Sequence, residues 1–130
     1  MIAFCTYCSR QKNPAEGNLE AIRRYQSERI EKVYRAARTV GVKILILSGE
    51  FGLLLPESPI PNYDHLLRAE EVGLLLGKLV YQIQAEAITG FAYFTRPIDE
   101  DQNVRPYHDA LAAACARLQV QFLSISISGL

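Results

Sequence analysis

Apolar and polar positions along the chain fall into runs, helical stripes and strict alternations that divide it into strands and helices. Ile2 to Cys5 is a short apolar run, read as a first strand, and the polar "TYCSRQKNPAEG" after it is a loop carrying Pro14 and Gly17. Leu19, Ile22, Ile30, Val33 and Ala37 fall on a narrow arc at about 100° per residue, which predicts an amphipathic helix to Val40. Asn18 is its expected N-cap and Gly41 its end. Gln26 sits mid-arc, where a core helix needs an apolar residue, so either the helix breaks near Tyr25–Ser27 or Gln26 faces a polar pocket.

Val42 to Leu47 is an unbroken apolar run without alternation, as in a central strand covered on both faces. Arg68 to Ala87 repeats apolar residues at helical spacing through Val72, Leu75, Leu76, Leu79, Val80 and Ile83. "ITGFAYF" is a third strand, and Pro106 opens a third helix with Tyr107, Leu111, Ala114, Cys115 and Leu118 on its inner stripe. The end, "VQFLSISISG", alternates Leu123, Ile125 and Ile127 with serines and is expected at a sheet edge with one wet face. The order β-α-β-loop-α-β-α-β predicts one α/β domain over residues 1–130. Its architecture is a three-layer α/β/α, Rossmann-like fold with a mainly parallel sheet of about four strands. Between the second strand and second helix lies "SGEFGLLLPESPIPNYDH", read as neither helix nor strand; loops of that length are usually functional or disordered. Its Leu, Ile, Phe and Tyr content speaks against disorder.

Composition changes this picture little. Hydrophobic residues make up 49% and charged residues 22%, and fourteen basic residues balance fourteen acidic ones, so charge does not point to nucleic acid. No apolar run reaches the ~18 residues of a membrane span, and the N-terminus lacks the basic start and cleavage site of a signal peptide. Three sparse cysteines fit a reducing cytoplasm. A homo-oligomer is left open.

Ligands of open parallel sheets bind at the carboxyl ends of the strands. That rule gathers Cys8, Ser9 and Lys12 after the first strand, Ser48, Gly49, Glu50, Phe51 and Gly52 after the second, and Arg96 after the third. The returning Tyr63, Asp64 and His65 cover them. Hydroxyls and positive charge suit an anionic group on a small ligand, while the bland alternatives are loop capping and solvated side chains. Glu50 and Asp64 are the candidate acid–base pair, against the commoner reading of two solvated carboxylates. Gly52 is a candidate for positive φ. Arg23, Arg24, Arg29, Arg35 and Arg38 alternate with Glu20, Glu28 and Glu31 and are expected to form a solvated, ion-paired face. Cys5-x-x-Cys8 lacks the helix N-terminus a redox pair needs, and His65, His108 and Cys115 offer no metal-ligand spacing. No metal and no cofactor is implied. Cys5 is expected in the core and Cys8 at the wall of a pocket.

"CSRQK", "YQS" and "ILSGEFGLLLPESPIPNYD" resemble a bacterial and phage domain family with a Cys-Ser-x-x-Lys, a Tyr-x-Ser and a Leu-Ser-Gly-x-Phe/Tyr-Gly-Leu followed by Tyr-Asp. That family is distantly similar to the peroxide-stress protein YaaA. The resemblance implies an α/β fold and a site on these segments, adds Tyr25 and Ser27 to it, and implies no defined reaction. The leading expectation is binding of a nucleotide or nucleoside-like anionic ligand, with hydrolase or transferase chemistry on it. The alternatives are a non-catalytic sensor using the same pocket and a protein-interaction module built on the 50–67 loop.

Overall fold

The structure is a computed structural model that describes residues 1–128, so Gly129, the end of the last predicted strand, lies outside it. The core is a five-stranded sheet in the order β4-β3-β1-β6-β7, made of β1 (Ile2–Tyr7), β3 (Lys43–Ser48), β4 (Gly52–Leu54), β6 (Gly90–Thr95) and β7 (Gln121–Ser126). All neighbours run parallel except β4, which folds back on β3 through Ile46↔Leu54, Leu47↔Leu53 and Ser48↔Gly52. The α/β fold with a mainly parallel sheet and flanking helices is therefore as expected. The fifth strand is a departure, because three residues are too few to display a period.

The apolar run at Val42–Leu47 forms an inner strand, with Ile44, Leu45, Ile46 and Leu47 all buried. The middle of the sheet belongs to β1, flanked by β3 and β6. On one face α2 (Glu28–Val40) packs against β1 and β3, with Val33 and Ala37 meeting Ile44 and Phe4. α3 (Val72–Ala85) and α4 (Arg105–Leu118) pack together over the other, burying Leu75, Leu79, Ile83, Leu111 and Cys115. β7 is the edge strand expected from its alternation, but Leu123 remains 61% exposed, since α2 covers β1 and β3 and does not extend to β7. Among the described residues no helix is long and apolar enough to cross a membrane.

The first predicted helix is broken. Asn18 caps nothing; Leu19–Glu20 instead form β2, paired antiparallel with β5 (Pro59–Ile60) from the long loop. A single turn, α1 (Ala21–Arg24), follows, and α2 restarts at Ser27, whose side chain accepts from the Ile30 amide at 3.2 Å. The break frees the Gln26 amide to donate to Gln11 O (3.0 Å), and Asn13 N donates to Arg24 O (2.7 Å). A continuous helix would use up those groups, so the break is what ties the loop after β1 to the helical layer. The loop 49–67 likewise contains β4 and β5. α3 begins at Val72, four residues later than expected, after a 3-10 turn over Ala69–Glu71.

All three cysteines are buried and unpaired. Burial pushes the Cys5 thiol far above its ordinary range and the Cys115 thiol up to about 11. Thiol titration of fresh protein in denaturant without reductant is expected to count three free thiols. A shortfall of two, with the bond mapped to Cys5–Cys8 by peptide mass spectrometry, would revive the redox reading.

Candidate functional site

β1 sends its chain through α2 to one side, to β3, while β6 sends its chain through α4 to the other, to β7. The order of the sheet thus reverses between β1 and β6, and the loops leaving their carboxyl ends must splay apart. A cavity of about 510 Å³ occupies that gap. The loop after β1 supplies Cys8, Ser9, Arg10 and Lys12; the loop after β6 and the start of α4 supply Asp101, Asn103, Val104 and Tyr107. Asp64, His65 and Leu66 of the long loop complete the wall. Tyr7 and Tyr107, with ring centroids 5.9 Å apart, give it an aromatic side.

Two buried arginines shape the loop after β1. Arg29 on α2 lays its guanidinium 3.6 Å from the Tyr7 ring centroid and donates to Thr6 Oγ1 (2.5 Å), Tyr7 O (2.7 Å) and Cys8 O (3.2 Å). Burial, as the largest cause, pushes its pKa down. Arg24 on α1 is fully buried and donates to the carbonyls of Asn13 (2.6 Å), Ala15 (2.9 Å), Gly17 (2.5 Å) and Ile60 (3.3 Å). The expectation of a solvated arginine face therefore fails at Arg24 and Arg29, whose partners are backbone carbonyls and, for Arg29, the Thr6 hydroxyl rather than carboxylates. It holds at Arg35, which is exposed and pairs with Glu31.

Behind Lys12 lies a directed chain of hydroxyls. Ser48 Oγ accepts from the amides of Glu50 and Phe51, both at 3.1 Å. With both lone pairs engaged, its O–H donates to Tyr63 Oη at 2.9 Å, and Tyr63 in turn donates to Tyr25 Oη. Desolvation raises the pKa of both tyrosines well above the ordinary value, so both stay neutral. Lys12 Nζ stands 4.6 Å from the Tyr63 ring centroid and 5.8 Å from that of Tyr25, a cation held against two aromatic rings.

Of the proposed carboxylate pair, Asp64 lines the cavity and Glu50 does not. Glu50 Oε2 bonds His65 Nδ1 at 2.5 Å, and His65 Nε2 bonds Glu71 Oε2 at 2.9 Å. Asp64 is exposed at the cavity wall. Of the other residues expected here, Cys8, Ser9 and Lys12 line the cavity; Tyr25, Ser48 and Tyr63 form the hydroxyl chain behind it. Phe51 packs edge-on against Tyr63 with centroids 5.1 Å apart. Gly49 lets Leu67 pass close, since a Cβ there would stand 3.0 Å from Leu67 Cβ. Gly52 has φ +75° and closes the β3–β4 hairpin. Ser27 caps α2, and Arg96 follows β6 without lining the cavity.

Sequence reasoning missed Asp101, Asn103 and Tyr107. Their signal is the acidic turn "DEDQN" after the third strand, which gains meaning only once that strand is known to flank the first. Among the described residues no group of three or more His, Cys, Asp or Glu is arranged to hold a metal ion. Compared with protein-family models, curated proteins and solved structures, the chain has no significant match.

Proposed function

We propose that the protein binds a small anionic ligand of the nucleotide or nucleoside-like class in the cavity between the β1 and β6 loops. The carrying observation is the division of that cavity's wall. Ser9, Arg10 and Lys12 form a basic, hydroxyl-bearing rim suited to a phosphate or carboxylate. Asp64, Asp101 and Asn103 offer acceptors and an amide to the ligand's polar edge, and Tyr107 offers a ring face. The Cys8–Lys12 and Ser48–Asp64 segments that carry the family likeness converge here, which supports membership of that family as part of the same reading. Three unpaired thiols favour a reducing cytoplasm as its setting.

Hydrolase or transferase chemistry would draw on Asp64 at the wall, because Glu50 is committed to His65. An interface built on the 50–67 loop is less well supported. Leu53 and Leu54 are buried, and Phe51 and Leu55 pack on the core.

Mass spectrometry of gently purified protein identifies the ligand, and a thermal-shift screen of nucleotides ranks related compounds. Lys12→Ala removes one charge-assisted contact worth roughly 1.5–3 kcal/mol, so affinity is expected to fall about ten- to a hundredfold. Thermal stability should fall only slightly, since Lys12 is half-exposed, its hydrogen bond is to the adjacent loop carbonyl of Arg10, and its contacts with the Tyr63 and Tyr25 rings are worth about 0.5–1 kcal/mol at such a site. If Lys12→Ala and Arg10→Ala both bind the identified ligand as wild type does, the site lies elsewhere.

A further inference from the structure

Residues 61–68 have no regular secondary structure, and Asp64, His65 and Leu66 among them form part of the cavity wall. Two fixed points hold this segment. At one end Tyr63 is bonded into the Ser48–Tyr25 hydroxyl chain. At the other, Leu67 is buried and its amide donates to Tyr107 Oη at 3.0 Å. Between them Asp64 and Leu66 are exposed, and His65 is the residue whose side chain ties the stretch down. Its two ring nitrogens reach two different elements, Glu50 in the β3–β4 turn and Glu71 at the entry to α3.

A neutral imidazole donates from one nitrogen only. The other would then present a lone pair to a carboxylate, which repels it. Both contacts are attractive only in the imidazolium form.

We propose that Glu50, His65 and Glu71 form a proton-operated latch that holds Asp64–Leu66 in place as a wall of the cavity when His65 is charged and releases it when His65 is neutral. The latch regulates the site assigned above and rests on that reading for its role in ligand entry, though its operation is visible in unliganded protein. Its sense follows from the groups around it. The bond to Glu50, then that to Glu71, outweigh partial burial and raise the His65 pKa above its ordinary 6.5. A raised folded-state pKa means the stabilisation is full below about 6.5 and is lost as pH rises through the folded value. On the acid side the Arg68 amide, then His65, lower the Glu71 pKa below its ordinary 4.5. Glu71 thus holds its share above about 4.5 and loses it as pH falls through the lowered value. The other charged groups around the mouth are Asp64, Arg68 and Glu70 beside it, and Arg10, Lys12 and Asp101 on the cavity wall. Lys78 on α3 donates to the Glu50 carbonyl at 3.2 Å and keeps that turn in place.

Backbone 15N order parameters of Asp64, His65 and Leu66 test the latch in the full-length unliganded protein. They are expected to fall from about 0.85 near pH 6 to below about 0.6 near pH 8.5. His65→Gln, which cannot be protonated, should show the lowered values at both pH values, and Glu50→Gln should lower the His65 pKa read by NMR. Equal order parameters of wild type at both pH values, or wild-type values at pH 6 in His65→Gln, overturn the latch whatever the cavity binds. AMP serves as the probe for the second arm. A working latch with no AMP binding in either pH range would leave the latch standing and count against the nucleotide reading.

Discussion

Arg24→Met is expected to destabilise the fold by about 3–4 kcal/mol, read as a lower midpoint of urea unfolding at unchanged slope. Arg24 is the largest side chain with no exposure, and among the described residues no carboxylate is paired with it. Its charge is balanced by four backbone carbonyls, three from the loop 13–17 and one from Ile60 of β5. Methionine fills most of the volume but donates nothing. Hydrogen bonds to a charged group contribute roughly 1.5–3 kcal/mol each where buried, and the loop carbonyls regain water when released, which discounts the sum. Arg24→Lys should fall between Met and wild type, because an ammonium cannot spread its donors over carbonyls fixed in the plane of a guanidinium. The loop after β1 should loosen in both variants, with faster exchange at Asn13 and Ala15. A Met variant within about 1 kcal/mol of wild type would mean that Arg24 merely fills space.

The parts of this fold that could be read beforehand are those whose cause is local. The unbroken run at Val42–Leu47 requires cover on both faces, and β3 is an inner strand with Ile44 to Leu47 buried. Gln26 at the centre of an apolar arc signalled trouble in the first helix, and the helix does break there. The reason for the break was not local: the Gln26 amide meets Gln11 O across a loop. Arg24 and Arg29 looked like members of an ion-paired surface because glutamates lie nearby on the same helix. Their partners are backbone carbonyls and the Thr6 hydroxyl, up to thirty-six residues away in the chain, which no helical period encodes.

The site divides in the same way. The rule that ligands approach the carboxyl ends of strands selected Cys8, Ser9 and Lys12, and the returning long loop added Asp64; all four line the cavity. It could not select Asp101, Asn103 and Tyr107, because that requires knowing that β6 pairs with β1, a contact set by the crossover through α3. Glu50, read from the sequence as an acid–base group, has its carboxylate against His65, fifteen residues on in the chain, a pairing that no local pattern encodes.

Gly52→Val is expected to be the most damaging single change, at about 3–5 kcal/mol, and the grounds are backbone and packing together. Gly52 stands opposite Ser48 where the hairpin closes, with φ at +75°. A residue with a Cβ resists that conformation by about 1–2 kcal/mol, and a β-branched one by more. The Cβ would also run into the side-chain amide of Gln82 and come within 3.1 Å of Lys78 Cδ. Gln82 is the clamp that fixes β4 to α3: its Oε1 accepts from Leu53 N at 2.8 Å, and its Nε2 donates to Phe51 O at 3.2 Å and Leu53 O at 3.4 Å. Valine therefore strains the turn and displaces the side chain that satisfies the strand beside it. Gly52→Ala separates the two contributions. In the Gln82→Ala background the collision with the amide is gone, leaving the conformational cost of about 1–2 kcal/mol and the close contact with the flexible Lys78 side chain, so Gly52→Ala should be milder there than in wild type. A double-mutant cycle on urea midpoints measures this coupling. Strict additivity of Gly52→Ala and Gln82→Ala would show that Gln82 moves aside freely and that the φ of Gly52 carries the whole effect.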